Sequence, residues 1–408
     1  MAQTLTEQVD TTERALGERM IMHALVVVRA WLGELGENNP YEEAFTRIQK
    51  EYQALFAEWL SIDRDGADEA LNKMTGDAYQ LVDAVYADIR LKRGLSPEMH
   101  GFNQDNPQSV LQYFSSCIRL CPEDLVWLHR VMEDERRVGT ALLAVTALTR
   151  NLRECFSIDA FNALIEGMAA DNEVLSNLCI FCVLTLLIHY DVRIDFFPQV
   201  QTSFVNVVDG MGDAGEHVFE VLCTLVELSK KSYLEDYASG MMPLSWLPPA
   251  LQKLVETSGI KDDYKTFYAW VPKSETDYMK TLVENLPNTW LYEVLVSGNP
   301  GREKMLTYTC VRTGYREMLW LHPEVAEQAY CHLLREGDAQ PMDYINYAHC
   351  LLLKGDRIMA YETYLQARQL CPSAKDFYAL FRPDRRQLID HGVPMEQVYL
   401  IEDQLLVV

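Results

Sequence analysis

The sequence predicts an all-α protein: a helical-repeat solenoid with an N-terminal helical bundle or cap. Three observations predict it. Apolar residues recur at three- and four-residue spacing along most of the 408 residues, and long alternating strand patterns are scarce. Clusters of glycine, proline and asparagine cut that pattern into helix-sized pieces. The middle and the end of the chain also repeat themselves, at intervals of roughly 34 to 42 residues.

Composition narrows the function classes. Hydrophobic residues make up 49% of the chain, enough for a substantial core. Sixty acidic against 36 basic side chains give a formal charge of -24, which repels phosphate backbones and anionic lipid. Nucleic-acid binding is therefore not expected. The acidic, polar start lacks the basic and apolar regions of a secretion signal. The most apolar run, residues 178–188, is about half the roughly 20 residues a membrane-spanning helix needs, so no membrane insertion is expected. Ten cysteines spread through apolar helical surroundings fit a reducing compartment, and the expected location is cytoplasmic.

Residues 1–105 read as an N-terminal helical bundle. Amphipathic helices are predicted over 15–35, 41–61 and 67–93, with turns at Asn38-Asn39-Pro40 and Arg64-Asp65-Gly66. Tyr52, Leu55, Phe56 and Trp59 share helical spacing in the second, and Leu81, Val82, Val85, Tyr86 and Ile89 in the third. The breaker-rich stretch 94–107 is the first boundary.

Residues 106–235 carry more apolar helices in pairs. Ala141, Leu142, Val145, Leu148 and Leu152 form one broad stripe over 137–153. Helices follow at 157–170, with Ser157 as N-cap, at 173–190, at 196–209 and at 215–231. Pair starts near Arg137, Glu173 and Gly215 are roughly 36 and 42 residues apart. The junction 163–187 (ALIEGMAADNEVLSNLCIFCVLTLL) joins an apolar helix to the next through an acidic turn, and it resembles a HEAT repeat join.

Residues 236–300 read as a connector and aromatic-rich helices. MMPLSWLPP within 240–259 combines helix-breaking proline with residues that require burial. The stretch 264–296 is helical again, and Ser297-Gly298-Asn299-Pro300-Gly301 closes it.

Within residues 301–408 a period of 34 is readable position by position: Gly314 recurs as Ala348, Ala326 as Ala360 and Tyr330 as Tyr364. Small residues let two helices touch, aromatics fill the space beside them, and proline ends the pair. Residues 342–372, with Tyr344, Tyr347, Leu351, Gly355, Ala367 and Pro372, closely resemble a tetratricopeptide (TPR) repeat. Residues 307–340 are a degenerate copy, interrupted by His322-Pro323. The resemblance implies binding of a protein or peptide partner on a concave surface lined by the first helix of each repeat. The matching positions are Tyr308, Val311, Tyr315 and Met318 in the first copy. In the second they are Met342, Ile345, His349 and Leu352. Only Asn346 matches the polar clamp of chaperone-type TPRs, so an acidic C-terminal peptide is not the expected ligand. In so short an array these residues have a second reading, packing on neighbouring helices or on the chain's own tail. Helix is expected over 375–392 as a terminal cap, and the apolar tail 398–408 (VYLIEDQLLVV) is expected to dock intramolecularly.

Gly210, Gly212 and Gly215 match GxGxxG after the strand-like 204–208, but no neighbouring strands support a dinucleotide site, and Asp209, Asp213 and Glu216 would repel a pyrophosphate. A turn between two helices is expected. Cys179 and Cys182 form a lone CxxC in the most apolar helix and read as a buried pair, as do Cys117 and Cys121. Cys331-His332 and His349-Cys350 cannot aim four ligands at one metal, because adjacent helical residues diverge by about 100°. No catalytic residue, cofactor or metal is assigned. The expected function is a non-catalytic protein–protein interaction scaffold. The alternatives are an enzyme with an active site between the helical regions, or a self-assembling structural protein whose tail docks into a neighbouring copy.

Overall fold

The computed structural model describes residues 4–58, 64–95, 101–117, 119–212, 215–229, 281–313, 316–336 and 339–407. Every regular element among them is helical, and none is a strand. Two compact units divide the chain, Met1–Val218 and Phe219–Val408. The predicted connector 240–259, most of the aromatic stretch 264–296, and residues Gly314 and Tyr315 lie outside the described residues.

The first unit opens with α1 (Leu5–Gly17), α2 (Ile21–Leu35), α3 (Glu42–Glu58) and α4 (Arg64–Lys92). Thr4 starts α1 with a reciprocal capping box: its hydroxyl accepts from the Glu7 N–H, and the Glu7 carboxylate accepts from the Thr4 N–H at 2.7 Å. Ala24, Leu25, Val28, Trp31 and Leu32 fall on one face of α2 and are buried against α1, α3 and α4.

Three expectations are corrected here. The helix predicted over 15–35 is broken between α1 and α2. Arg19 takes a left-handed φ of 58°, and the Arg19 and Met20 N–H groups donate back to the Leu16 and Ala15 carbonyls. Apolar spacing runs on across that break, so periodicity alone does not see it. Arg64-Asp65-Gly66 is the first turn of α4 instead of a connection. Phe56 is 73% exposed and does not join the stripe with Leu55.

Five more helices complete the paired region: α5 (Pro107–Ser116), α6 (Pro122–Glu133), α7 (Val138–Leu152), α8 (Ile158–Gly167) and α9 (Glu173–His189). The short α10 (Asp191–Ile194), α11 (Pro198–Gly210) and α12 (Gly215–Leu228) follow. Packing alternates along this stretch: α5 lies on α7, α6 on α8, α7 on α9 and α8 on α11. Asn106, Ser157 and Asn172 each cap the helix that follows by accepting backbone N–H groups. The run 178–188 is the buried centre of α9, with Cys179 and Cys182 in the core, and no helix among the described residues is long and apolar enough to cross a membrane. Cys117 is buried as expected, but Cys121 is exposed at the N-cap of α6, because the two cysteines flank a loop instead of sharing a helix. Gly210 ends α11 and Gly215 starts α12, Gly212 between them has φ 57°, and the strand-like 204–208 lies inside α11.

The second unit begins within α12. It continues through α13 (Trp290–Leu295), α14 (Pro300–Thr313), α15 (Glu317–Leu321), α16 (Pro323–Glu336), α17 (Pro341–Leu353) and α18 (Arg357–Leu370). Helix α16 packs on α14 and α17, and α17 packs on α18. At the α17–α18 turn Gly355 takes φ 87°, a conformation favouring glycine, and Asp356 caps α18 by accepting from the Met359 N–H. The starts of α16 and α18 are 34 residues apart, which sets Ala326 and Ala360, and Tyr330 and Tyr364, at equal depth in the two helices. All four are buried. Helix α14 departs from that register: it stops at Thr313, and α15 intervenes before His322-Pro323 starts α16.

The expected cap helix over 375–392 is two helices, α19 (Ala374–Phe381) and α20 (Arg385–Asp390), separated by a 3-10 turn at Arg382–Asp384 that contains Pro383. The tail forms α21 (Met395–Val407), packed on α18, α19 and α20. Val398, Ile401 and Leu405 join one core with Ile345, Tyr364, Phe377 and Phe381. Each contributes roughly 1.5–3 kcal/mol of burial before the entropy of ordering the tail is subtracted. The inner face of the tail is docked on its own chain.

Candidate functional site

The predicted lining residues converge on two adjoining cores. On α17, Ile345, His349 and Leu352 lie along one face and are 0%, 0% and 4% exposed, with Met342 half-buried beside them. Val311, 3% exposed, packs with Leu319, Tyr330 and Cys350 in the neighbouring core. Met318 is buried. Tyr308 is half-buried, its hydroxyl 3.3 Å from His332 Nδ1. An open groove lined by all of these side chains is therefore not what the structure holds: Val311, Met318, Ile345, His349 and Leu352 face the chain's own helices. The physical reason is the alternative already named for a short array: too few neighbouring hairpins leave the first-helix faces to be covered by α15 and the terminal helices.

What those faces enclose is a polar cluster. His349 Nδ1 stands 2.5 Å from the Tyr364 hydroxyl, and Nε2 stands 3.3 Å from Asp384 Oδ2. Arg316 donates to the same Asp384 oxygen at 2.6 Å. A carboxylate only accepts, so Nε2 carries the ring proton and Nδ1 accepts from Tyr364. Burial holds the His349 pKa below the ordinary histidine range. Asp384 opposes that shift, and the Arg316 charge adds to it. Trp320 and Phe381 flank the imidazole at centroid distances of 5.7 and 5.8 Å. The cluster ties together α17, α18, the turn after α19, and Arg316 ahead of α15. Its imidazole is sealed from solvent in this conformation, so what the arrangement does is fix these elements together. Asp384 and Arg316 were not legible as its partners, since both lie in charged turns with no spacing relation to His349.

A second buried cluster lies in the first unit. Arg193 of α10 is 3% exposed, and its guanidinium donates to Glu13 of α1 at 2.9 Å and to Asp83 of α4. The same group lies over the rings of Phe156 at 4.1 Å and Tyr79 at 4.6 Å. Burial alone would lower the Arg193 pKa, but the two carboxylates outweigh it. Burial pushes Asp83 up to about 7 against the attraction of Arg193, and it raises Glu13 in the same way. Arg193, lying over Tyr79, Phe156 and Phe197, thus links α10 to α1 and α4.

No group of three or more histidine, cysteine or acidic side chains able to hold a metal occurs among the described residues. His349 and Cys350 are fully buried, whereas His332 is exposed beside Tyr308.

The outer surface is the remaining candidate. Nine large apolar side chains are exposed among the described residues of the second unit. Six of them, Ile358, Met359, Leu370, Met395, Tyr399 and Leu400, lie on α18 and α21, which pack on each other. These residues were not legible in the sequence, because apolar spacing is silent about which side of a terminal helix finds a neighbour. Compared with protein-family models, curated proteins and solved structures, the chain matches none.

Proposed function

We propose that this protein is a non-catalytic interaction scaffold, built of HEAT-like hairpins over residues 106–235 and TPR-like hairpins near its C-terminus, stacked as a short solenoid. The equal register of α16 and α18, 34 residues apart, supports the TPR-like reading. The alternating packing of α5 to α11 supports stacked hairpins before it. The working surface in this reading is not the first-helix groove but the exposed faces of α18 and α21.

The observation that carries the proposal is the concentration of six exposed apolar side chains on those two adjacent helices. Exposed apolar groups carried by two helices that pack on each other support a contact surface more than the same number scattered over the unit would. The test is recovery of proteins from native lysate of the source organism on the full chain and on an Ile358→Ser, Leu370→Ser, Leu400→Ser variant with matched thermal stability. A partner retained by the wild type and reduced about tenfold on the variant is expected. Equal recovery on both removes the reading.

A further inference from the structure

Helix α21 is apolar on two sides. Its inner side carries Val398, Ile401 and Leu405 into the core. At 100° per residue, Met395, Glu396, Tyr399, Leu400 and Asp403 fall within an outward arc of about 140°, and all five are exposed. The sequence of Met395–Val407 holds three carboxylates and no lysine, arginine or histidine. Glu402 is turned inward, where Arg385 donates to it at 3.1 Å. Glu396 and Asp403 make no ion pair with any described residue and frame the apolar side chains with negative charge.

We propose that this outward face binds a basic amphipathic segment of a partner protein, whose apolar side chains seat on Met395, Tyr399 and Leu400 while its lysines or arginines reach Glu396 and Asp403. The inference rests on the interaction reading above and names its partner class. Charge complementarity selects this occupant over the others. Two copies pairing through α21 would bring Glu396 and Asp403 against the same carboxylates of the second chain, in molecules that each carry a net charge of -24. An anionic lipid surface meets the same repulsion. A basic segment instead gains from both parts of the face, with the charges governing approach and register and the apolar groups providing most of the affinity.

The test uses the full chain and a fluorescent helical peptide with one leucine face and one lysine face, read by anisotropy. A peptide of the same pattern with glutamate in place of lysine is the charge control, phosphatidylserine vesicles are the lipid arm, and sedimentation reports self-association. Binding of the lysine peptide is expected to weaken about tenfold in Tyr399→Ser with Leu400→Ser, and again in Glu396→Lys with Asp403→Lys. The glutamate peptide and the vesicles are expected not to bind. Four outcomes of these binding measurements overturn the proposal: equal binding of the lysine peptide to wild type and both variants, equal binding of the glutamate peptide, vesicle binding that depends on these residues, or a wild-type dimer that the variants dissolve. Lysate capture that needs the apolar patch but survives Glu396→Lys with Asp403→Lys removes this inference alone. Peptide binding as expected, without patch-dependent capture from lysate, removes the broader reading instead.

Discussion

Arg193 donates to Glu13 at 2.9 Å across 180 positions of sequence, and the same guanidinium reaches Asp83. Through these contacts one residue of a four-residue helix, α10, holds both α1 and the 29-residue α4. Replacing Arg193 with methionine keeps the apolar bulk over Phe156 but leaves two partly buried carboxylates without a cation. Breaking a buried pair from one side costs about 3–5 kcal/mol. Urea denaturation of Arg193→Met followed by circular dichroism checks this, and a loss within experimental scatter of zero contradicts it.

The same cluster sets a pH dependence. Asp83 in the folded chain holds its proton up to about pH 7, whereas an unfolded aspartate releases it near 4. Between those values the folded state binds the extra proton, so this contribution is fully present below about pH 4 and fades as pH rises toward 7. Asp83→Asn removes it. The difference in urea midpoint between wild type and variant is expected to change across that window, and a difference that stays constant contradicts the assignment.

His349 acts with the opposite sign. Its pKa is lowered by burial, so an unfolded histidine takes up a proton near pH 6.5 that the folded one refuses. The contribution is present above about 6.5 and lost as pH falls below it. His349→Gln keeps an amide to serve Asp384 and Tyr364 but has no proton to gain. The second unit of this variant is expected to lose its acid sensitivity in that window, read by the protection of α17 amides in hydrogen exchange.

Two glycine substitutions should differ in sign. A Cβ on Gly76 of α4 would stand 2.9 Å from the Phe196 carbonyl oxygen, a backbone atom that cannot rotate away. Gly76→Ala is expected to destabilise by about 1–3 kcal/mol. Gly33 of α2 is exposed, with nothing within 4 Å of a Cβ. Gly33→Ala is expected to stabilise by about 0.5–1 kcal/mol, because it reduces the freedom of the unfolded chain. Thermal melts of both variants decide it.

Adjacent residues of the tail provide the last comparison. Ile401 is 5% exposed and Leu400 is 56% exposed. Ile401→Ala is expected to cost about 2–5 kcal/mol and Leu400→Ala to stay within about 0.5 kcal/mol. Equal effects in equilibrium unfolding would mean that α21 is not seated on its inner face.

Helical class, most helix positions and the 34-residue correspondence of Ala326 with Ala360 and Tyr330 with Tyr364 were legible in the linear chain. They follow from local propensity and from side-chain spacing along a single helix, both of which are properties of neighbouring residues. Folding in three dimensions settled which faces meet one another. It turned Ile345, His349 and Leu352 from a supposed groove into core, paired His349 with Asp384 and Arg193 with Glu13, and left Tyr399 and Leu400 outside while Ile401 went in. Such pairings join residues separated by tens to nearly two hundred positions, and they are chosen by the mutual fit of several helices, which no spacing rule along one helix encodes.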